Sequence, residues 1–246
     1  AAMIRFVGGV ADETFALIDR LGIACEARRG GFIQPAHAPA SLEKLRRRHD
    51  QWARHGAPVR LLDAEGMAAL LGTDRYCGGW IDGRGGTVHP LKFVRGLARA
   101  AEERGVTVYE GTRARSVARA RGAWHLACGS GTVRASKIAI LCNAYADGLW
   151  PRLARSFVPV LSFQVATEPL PAGIAPTLVP EGHGVSDTRR LLVYFRRGPG
   201  DRLMIGGRGS LRPPRAPAAF DALERMLRSL FPQIAGVRIG HRWFGR

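Results

Sequence analysis

An amphipathic helix followed at once by a strand is predicted over residues 90–110, and this pair limits the fold more than any other stretch. Pro90 suits the first turn of a helix, where its missing N–H is not needed. Apolar residues then recur at three- and four-residue spacing up to Gly105, which ends the pattern. Because residues 106–110 form a short β-branched run, the chain is expected to pack helices on a sheet as a mixed α/β protein.

Two later segments are also predicted to be strands of this layer. Residues 124–128 alternate apolar and polar side chains, which is typical of a half-exposed strand. Residues 137–142 are almost continuously apolar, which favours a strand buried on both faces. The run ends in Asn143, Ala144 and Tyr145, where small residues would let a ligand approach the carboxyl end of a parallel strand.

Helix and strand patterns continue on both sides of this region. Caps, spacing and turn residues place the remaining elements. Helices are predicted over 11–21 with Asp12 as cap, from Ser41 to about 52, from Asp63 to Gly72, and over 220–230; strands are predicted over 23–27, 32–35, 157–167, 189–196, 202–208 and 237–243.

Two blocks of sequence resemble a known family. The first block runs GGWIDGRGGTVHPLKFVRGLARAAEERGVTVYEGT and then WHLACGSGTVRASKIAILCNAYADGLWP. The second runs FVPVLSFQVATEPL, VSDTRRLLVYFRRGPGDRLMIGGRG and FPQIAGVRIGHRWFGR. Together they resemble the FAD-dependent oxidoreductases of the D-amino-acid oxidase and glycine oxidase superfamily, nearest to the amine-oxidising branch that includes γ-glutamylputrescine oxidase. The resemblance extends from about Gly30 to the end of the chain.

This resemblance implies both a fold and an activity. The implied fold is a partial, Rossmann-like FAD-binding layer interleaved with a mixed-sheet substrate domain, divided as 1–82 on the substrate side, 83–156 in the FAD-binding domain and 157–246 in the substrate-binding sheet. The implied reaction oxidises a small amine or amino acid at its C–N bond to an imine, with FAD as cofactor. An FAD-dependent dehydrogenase of a hydroxy acid or glycerol phosphate is the alternative within the same fold.

One motif that the family requires is missing from this sequence. Such enzymes bind the FAD pyrophosphate at a GxGxxG turn between a strand and a helix, and no GxGxxG occurs here. The chain also starts at Ala1 and stops at Arg246, before the segment that would close over the flavin. We therefore expect an internal fragment or a truncated product, which by itself binds FAD weakly or not at all and is inactive.

The resemblance also implies contacts to the cofactor. Ala114 follows Thr112 at the position where the family presents backbone to the adenine. The segment Cys142, Asn143 and Ala144 resembles the turn that passes close to the FAD pyrophosphate and ribityl chain. A backbone contact tolerates Ala114 where the family has valine. Without this resemblance, Ala114 would be interpreted as an ordinary strand residue and Asn143 as the turn at the end of a strand.

Three further residues are predicted to face the substrate. Tyr194 and Arg196 lie two apart on one predicted strand and so point to the same face. In the resembling oxidases an aromatic hydroxyl from this strand borders the space over the flavin ring, and an arginine there could meet a substrate carboxylate. Arg208 is a weaker candidate of the same kind. Because the flavin carries the difficult step, no catalytic side chain is predicted.

Composition narrows the function classes further. The formal net charge of +17 by itself would favour nucleic acid or an acidic surface as a partner. However, only three of the 37 basic residues are lysines and the arginines are scattered, so a compositional bias of the genome explains the charge and no nucleic-acid partner is predicted. A non-catalytic basic binding module or an inactive product remain the alternatives of another class.

Cysteine spacing and hydropathy give the remaining expectations. The four cysteines form no CxxC pair, so neither a metal site nor a disulfide framework is predicted, and reduced thiols in the cytoplasm are the default. No apolar stretch approaches the 18 residues of a membrane-spanning helix.

Overall fold

The computed structural model of this protein describes residues 2–145, 148–214 and 216–245. In these ranges the chain forms an eight-stranded sheet, a three-stranded sheet and five α-helices. The helices are α1 (Ala2–Arg20), α2 (Pro39–Ala53), α3 (Ala64–Leu71), α4 (Pro90–Glu102) and α5 (Asp221–Leu230). The fold is therefore a mixed α/β fold, as the sequence predicts.

The strands divide between the two sheets. They are β1 (Phe32–Pro35), β2 (Val59–Leu62), β3 (Gly79–Asp82), β4 (Ala114–Ala120), β5 (Ala123–Cys128), β6 (Gly131–Ala135), β7 (Ser162–Thr167), β8 (Gly184–Ser186), β9 (Val193–Gly198), β10 (Arg202–Arg208) and β11 (Ile239–Gly245). The large sheet has the order β11-β7-β10-β9-β8-β1-β3-β2, and β4-β5-β6 form the small one. Only the β1–β8 pair of the large sheet is parallel among the described strands.

The main core lies on one face of the large sheet. Alternate residues of the central strands, including Val165, Phe195 and Ile205, are almost completely buried. Helix α5 covers this face with Leu227 and Leu230, which are 0% and 1% exposed. The apolar stripe predicted over residues 220–230 is thus confirmed as the side that packs on the sheet. The other face of these strands is left partly open.

Local signals fix the ends of α3 and α4. The Asp63 Oδ1 accepts a hydrogen bond of 2.8 Å from the Gly66 N–H, which satisfies a free donor in the first turn of α3. Gly72 ends α3 in the left-handed conformation, with φ of 74°. Pro90 starts α4 as predicted, and this helix packs with α1 around a smaller core that contains Phe15 and Cys25.

Three strand predictions are wrong. Residues 23–27, 106–110 and 137–142 have no regular strand structure. Ile23 and Cys25 are buried, but as irregular chain between α1 and α4. The other two segments lie largely at the surface, where Leu141 is 89% exposed, because no neighbouring strand pairs with them in the part of the chain that the structure describes. A strand needs such a neighbour for its backbone hydrogen bonds.

Several predicted boundaries also move. Helix α1 begins at Ala2, so Asp12 lies inside the helix and does not cap it. Gly8 and Gly9 each destabilise a helix by only about 1 kcal/mol relative to alanine, so the helix continues through them. Helix α2 begins at Pro39, before Ser41. Strands β7 and β9 begin later than predicted, and the β9–β10 hairpin is confirmed.

The described helices include none that is long and apolar enough to cross a membrane.

The contact at Gly72 predicts a specific loss of stability. A Cβ at this position would lie 1.9 Å from the Thr177 carbonyl oxygen, and the backbone already has positive φ. Replacing Gly72 with alanine is therefore expected to lower the free energy of unfolding by about 2–4 kcal/mol, measured by urea denaturation. Gly105→Ala is the matched control, because Gly105 has φ of 86° and no atom within 4 Å of the added methyl group. It should lose only about 1 kcal/mol, and equal losses would contradict the collision.

Candidate active site on the open face of the large sheet

One row of residues crosses the open face of the sheet. Strand register pairs Ser186 with Tyr194, Tyr194 with Gly206, and Gly206 with Gln164. Gln164 in turn pairs with Trp243 on the outermost strand. Directly paired residues point to the same side of a sheet, so the row faces away from the α5 core. It places an aromatic hydroxyl, an amide and an indole on a surface that neighbouring elements leave partly open.

Tyr194 is held in this row by its neighbours. The ring lies across Gly206, since a Cβ there would come within 2.1 Å of the ring. The Tyr194 hydroxyl forms a hydrogen bond with the Ser162 hydroxyl on β7. Glycine is thus required at position 206 for the ring to lie flat against the sheet, and Ser162 fixes where the hydroxyl points.

A cavity of about 280 Å³ opens beside this tyrosine. Its wall combines apolar side chains with a few polar groups, the usual composition of a site for a small organic molecule. The lining residues that matter most here are Phe32, Gln164, Tyr194, Arg196 and Met204. The cavity can hold a flat or apolar group, and the amide, phenol and guanidinium can orient its polar atoms.

Arg196 follows Tyr194 on the same face of β9 and lines the same cavity. Its Nη1 donates a hydrogen bond of 2.9 Å to the Val88 carbonyl oxygen, which ties β9 to the loop before α4. Burial lowers the pKa of Arg196, with Glu26 opposing and Arg28 adding to the effect. Because arginine normally titrates so far above neutral pH, the guanidinium stays charged.

Arg208 occupies a different position. It ends β10 opposite Ser162, two residues beyond Gly206, so register places it on the same face as Tyr194. The side chain is exposed and does not line the cavity. The structure therefore brings Tyr194 and Arg196 together in one cavity and leaves Arg208 at its margin.

The predicted cofactor-binding residues fall in two places. Ala114 begins β4 of the small sheet, where it pairs with Cys128. Asn143, with φ of 46°, and Ala144 form a single 3-10 turn after the exposed Cys142. This turn, Asn143–Tyr145, reaches the large sheet, because the Tyr145 hydroxyl is 3.7 Å from the position of a Cβ on Gly245. Since Gly245 pairs with Ser162, residues 142–144 lie near the end of the open face and Ala114 belongs to a separate sheet.

A second tyrosine near β9 belongs to the core. Tyr76 stacks against Phe195 and places its hydroxyl 3.4 Å from Asp187, which is 1% exposed and paired with Arg189. Burial, followed by the charge of Asp187, raises the pKa of Tyr76. Its hydroxyl therefore stays protonated and stabilises the fold, and of these two tyrosines Tyr194 is the one that lines the open cavity.

Sequence reasoning missed Ser162, Gln164 and Gly206. Alternation within residues 157–167 predicts which side chains share a face, but it cannot say which strands pair or in what register. Only the register of β7, β10 and β9 brings these three residues beside Tyr194. A glycine in the middle of a predicted strand was the one available signal, because it often marks a close approach of a neighbouring group.

Comparison of the sequence with models of known protein families identifies the family of this chain. The profile of the family described as FAD dependent oxidoreductase matches residues 1–246, the whole chain. The chain therefore belongs to this family of FAD-dependent oxidoreductases.

Two relatives are similar in sequence. A probable oxidoreductase, OrdL, from Rhizobium meliloti is 35% identical over 209 residues, which are 84% of this chain and 48% of that protein. The gamma-glutamylputrescine oxidoreductase of Escherichia coli is 33% identical over 234 residues, which are 93% of this chain and 54% of that protein. The chain thus spans about half the length of these relatives.

Two solved structures share the fold. Glycine oxidase from Geobacillus kaustophilus superposes with a TM-score of 0.76 at 21% identity and covers 98% of this chain and 64% of that one. L-proline dehydrogenase from P. horikoshii gives a TM-score of 0.79 at 13% identity and covers 96% of this chain and 65% of that one. At these identities the likeness concerns the fold alone.

The described residues fit FAD in part. The open face beside Tyr194 suits a flat ring, because Gly206 leaves the phenol flat and the adjoining cavity is lined by Met204 and Gln164. The pyrophosphate end has no matching GxGxxG turn in this sequence. Residues 106–110 and 137–142, expected as strands of the FAD-binding layer, have no strand neighbours in the described ranges. The chain therefore fits the ring side of the cofactor better than its phosphate side.

The close approach of Tyr194 to Gly206 predicts a site-specific effect. Gly206→Ala is expected to push the Tyr194 ring off the sheet, break its hydrogen bond to Ser162 and lower the free energy of unfolding by about 1–3 kcal/mol. Near-ultraviolet circular dichroism and thermal unfolding would report both changes. Gly207→Ala is the control, because a methyl group there meets Leu223 at an ordinary 3.4 Å on the core side. If both variants have the same spectrum and stability, the position of the Tyr194 ring does not depend on a glycine at position 206.

Proposed function

We propose that this chain supplies the substrate-binding face, and part of the cofactor-binding layer, of an enzyme that oxidises an amine or amino acid at its C–N bond to an imine with FAD. The observation that carries the proposal is the position of Tyr194 beside an open cavity. Its ring lies flat on Gly206 and its hydroxyl is hydrogen-bonded to Ser162, in a chain that belongs to this family. The imine product would then hydrolyse in water.

Five residues of the cavity wall and one at its margin have roles in this proposal. FAD, when bound, supplies the acceptor for the hydride equivalent. The Tyr194 hydroxyl and the Gln164 amide orient the nitrogen end of the substrate by hydrogen bonds. Met204 and Phe32 exclude water from the reacting carbon. Arg196 in the wall would meet a substrate carboxylate, and the exposed Arg208 at the margin is the weaker candidate for the same role.

The cofactor contacts follow from the same proposal. Ala114 offers backbone to the adenine end of FAD. Cys142, Asn143 and Ala144 border its central part, and their position beside Gly245 at the end of the open face supports this assignment. Backbone contacts of this kind need small side chains and an open turn, which Ala144 and the positive φ of Asn143 provide.

The names of similar proteins support an amine or amino acid as the substrate class. The sequence relative from Escherichia coli is called a gamma-glutamylputrescine oxidoreductase. The solved structures that share the fold include a glycine oxidase and an L-proline dehydrogenase. All three names refer to compounds with an oxidisable carbon next to nitrogen. We propose the same class for this chain and leave the individual substrate open.

The division of the chain and its compartment are also proposals. The large sheet takes β1–β3 from residues 1–82 and β7–β11 from residues 157–246, which supports one substrate domain built from both segments. Residues 83–156 contribute α4 and the small sheet, and we assign them to the FAD-binding layer. The four cysteines are free, which fits a reducing cytoplasm.

The flavin content of the purified protein tests the missing pyrophosphate turn. The 246-residue chain is expected to bind FAD weakly, with well under one flavin per chain after gel filtration, because a helix N-terminus with a glycine turn normally holds the pyrophosphate. Absorbance at the flavin band against protein concentration gives the ratio. One flavin per chain would contradict this expectation, because this chain alone would then suffice to bind FAD.

The role of Tyr194 is tested in a chain completed with the remaining segments of the Escherichia coli relative. Tyr194→Phe is expected to slow anaerobic reduction of the flavin by an amine about five- to tenfold, because one hydrogen bond of about 1 kcal/mol is lost. Tyr109→Phe is the control, since Tyr109 is exposed and lies outside the cavity. Equal rates in both variants, with flavin content unchanged, would contradict the role of Tyr194.

A further inference from the structure

A second cavity lies on the other side of Arg196. It encloses about 320 Å³ between the chain after α1, the loop before α4 and the β9–β10 turn. Arg196 lines both this cavity and the one beside Tyr194, so the two are neighbours. The side chains and turn that form its wall are Glu26, Arg28, Thr87, His89, Arg196, Arg197 and residues 198–201.

The two carboxylates in this wall are already engaged. Glu26 accepts a hydrogen bond from the Lys92 ammonium, which lies outside the wall. Asp201 lies 3.7 Å from Arg197. Hydrogen bonding to Lys92 lowers the pKa of Glu26, burial opposes this, and the charges of Lys92 and Arg196 add to the lowering.

The guanidinium groups of Arg28 and Arg196 form no ion pair among the described residues, although the charge of Glu26 acts on Arg196 from a distance. Arg197 is committed to Asp201 and to the Ala175 and Pro180 carbonyl oxygens, at 2.7 and 2.6 Å. Neither Arg28 nor Arg196 has an ion-pair partner in the described ranges of the chain. Like charges that share one partly buried space repel each other, so an anion between them would be stabilised.

The backbone holds these groups in place. Arg28 exchanges two hydrogen bonds of 2.9 Å with Thr87, and its guanidinium lies against Gly182, where a Cβ would be 2.8 Å from Nη1. Arg196 is tied to the Val88 carbonyl oxygen. The backbone N–H of His89 donates to the Cys25 carbonyl oxygen at 2.8 Å, whereas the Nδ1 of its ring is buried without a partner among the described residues. Buried polar atoms in native structures normally have a partner.

We propose that this cavity binds the carboxylate or phosphate group of a small molecule through Arg28, Arg196 and His89. The three side chains come from separate loops and strands and are fixed by backbone contacts, so little conformational entropy is lost on binding. Both anions accept charge-assisted hydrogen bonds from guanidinium groups. The inference rests on the cavity and not on flavin binding, so it is tested without FAD.

Isothermal titration of the whole chain with glutarate, and separately with inorganic phosphate, tests the site. Saturable one-to-one binding is expected for at least one anion. Arg28→Gln and His89→Asn should each weaken it about tenfold or more, the usual effect of losing a hydrogen bond to a charged group. Arg225→Gln, an exposed arginine of α5 outside the cavity, makes the same charge change and should leave the affinity unaltered.

A substitution that should tighten anion binding distinguishes a direct effect on the site from a loss of folding. Glu26→Gln removes a negative charge from the wall and should tighten anion binding severalfold, with circular dichroism confirming that each variant is folded. Absence of saturable binding would overturn the proposal, as would equal affinities in wild type, Arg28→Gln and His89→Asn. Tighter binding of glutarate than phosphate would assign the site to a carboxylate, and the reverse order to a phosphate group.

Discussion

The parallel pairing of β1 with β8 is the contact on which the rest of the structure depends. Phe32 pairs with Gly184 and Ile33 with Val185, which joins three strands from residues 32–82 to five strands from residues 162–245. This pair joins strands that are far apart in sequence into one continuous sheet. Phe32, Gly184 and Val185 also line the cavity beside Tyr194, so the same contact that completes the fold completes the candidate site.

The two faces of this sheet separate the core from the candidate site. Val165, Phe195 and Ile205 point into the core under α5, and their neighbours Gln164, Tyr194 and Gly206 point to the open face. The period of two along each strand therefore lets one sequence satisfy both demands. Arg196 extends the open face toward the polar cavity around Arg28 and His89. The proposed substrate and anion sites are in this sense two parts of one surface.

Local patterns predicted the elements that depend on local contacts. The starting proline of α4, the Asp63 cap and Gly72 of α3, and the β9–β10 hairpin are all confirmed. The predictions of strands over 106–110 and 137–142 are wrong, because a strand depends on neighbouring strands that no local pattern specifies. For the site, spacing placed Tyr194 and Arg196 on one face, but Ser162, Gln164 and Gly206 depend on register between strands. The functional roles of all these residues remain predictions.

The most direct test of the proposed active site is a crystal structure of the chain completed with the remaining segments of a relative and saturated with FAD. The account predicts that the flavin ring lies over the open face, in contact with Tyr194 or Gln164, with the substrate cavity between the ring and Met204. A flavin ring bound away from this face, with Tyr194 open to solvent, would contradict it.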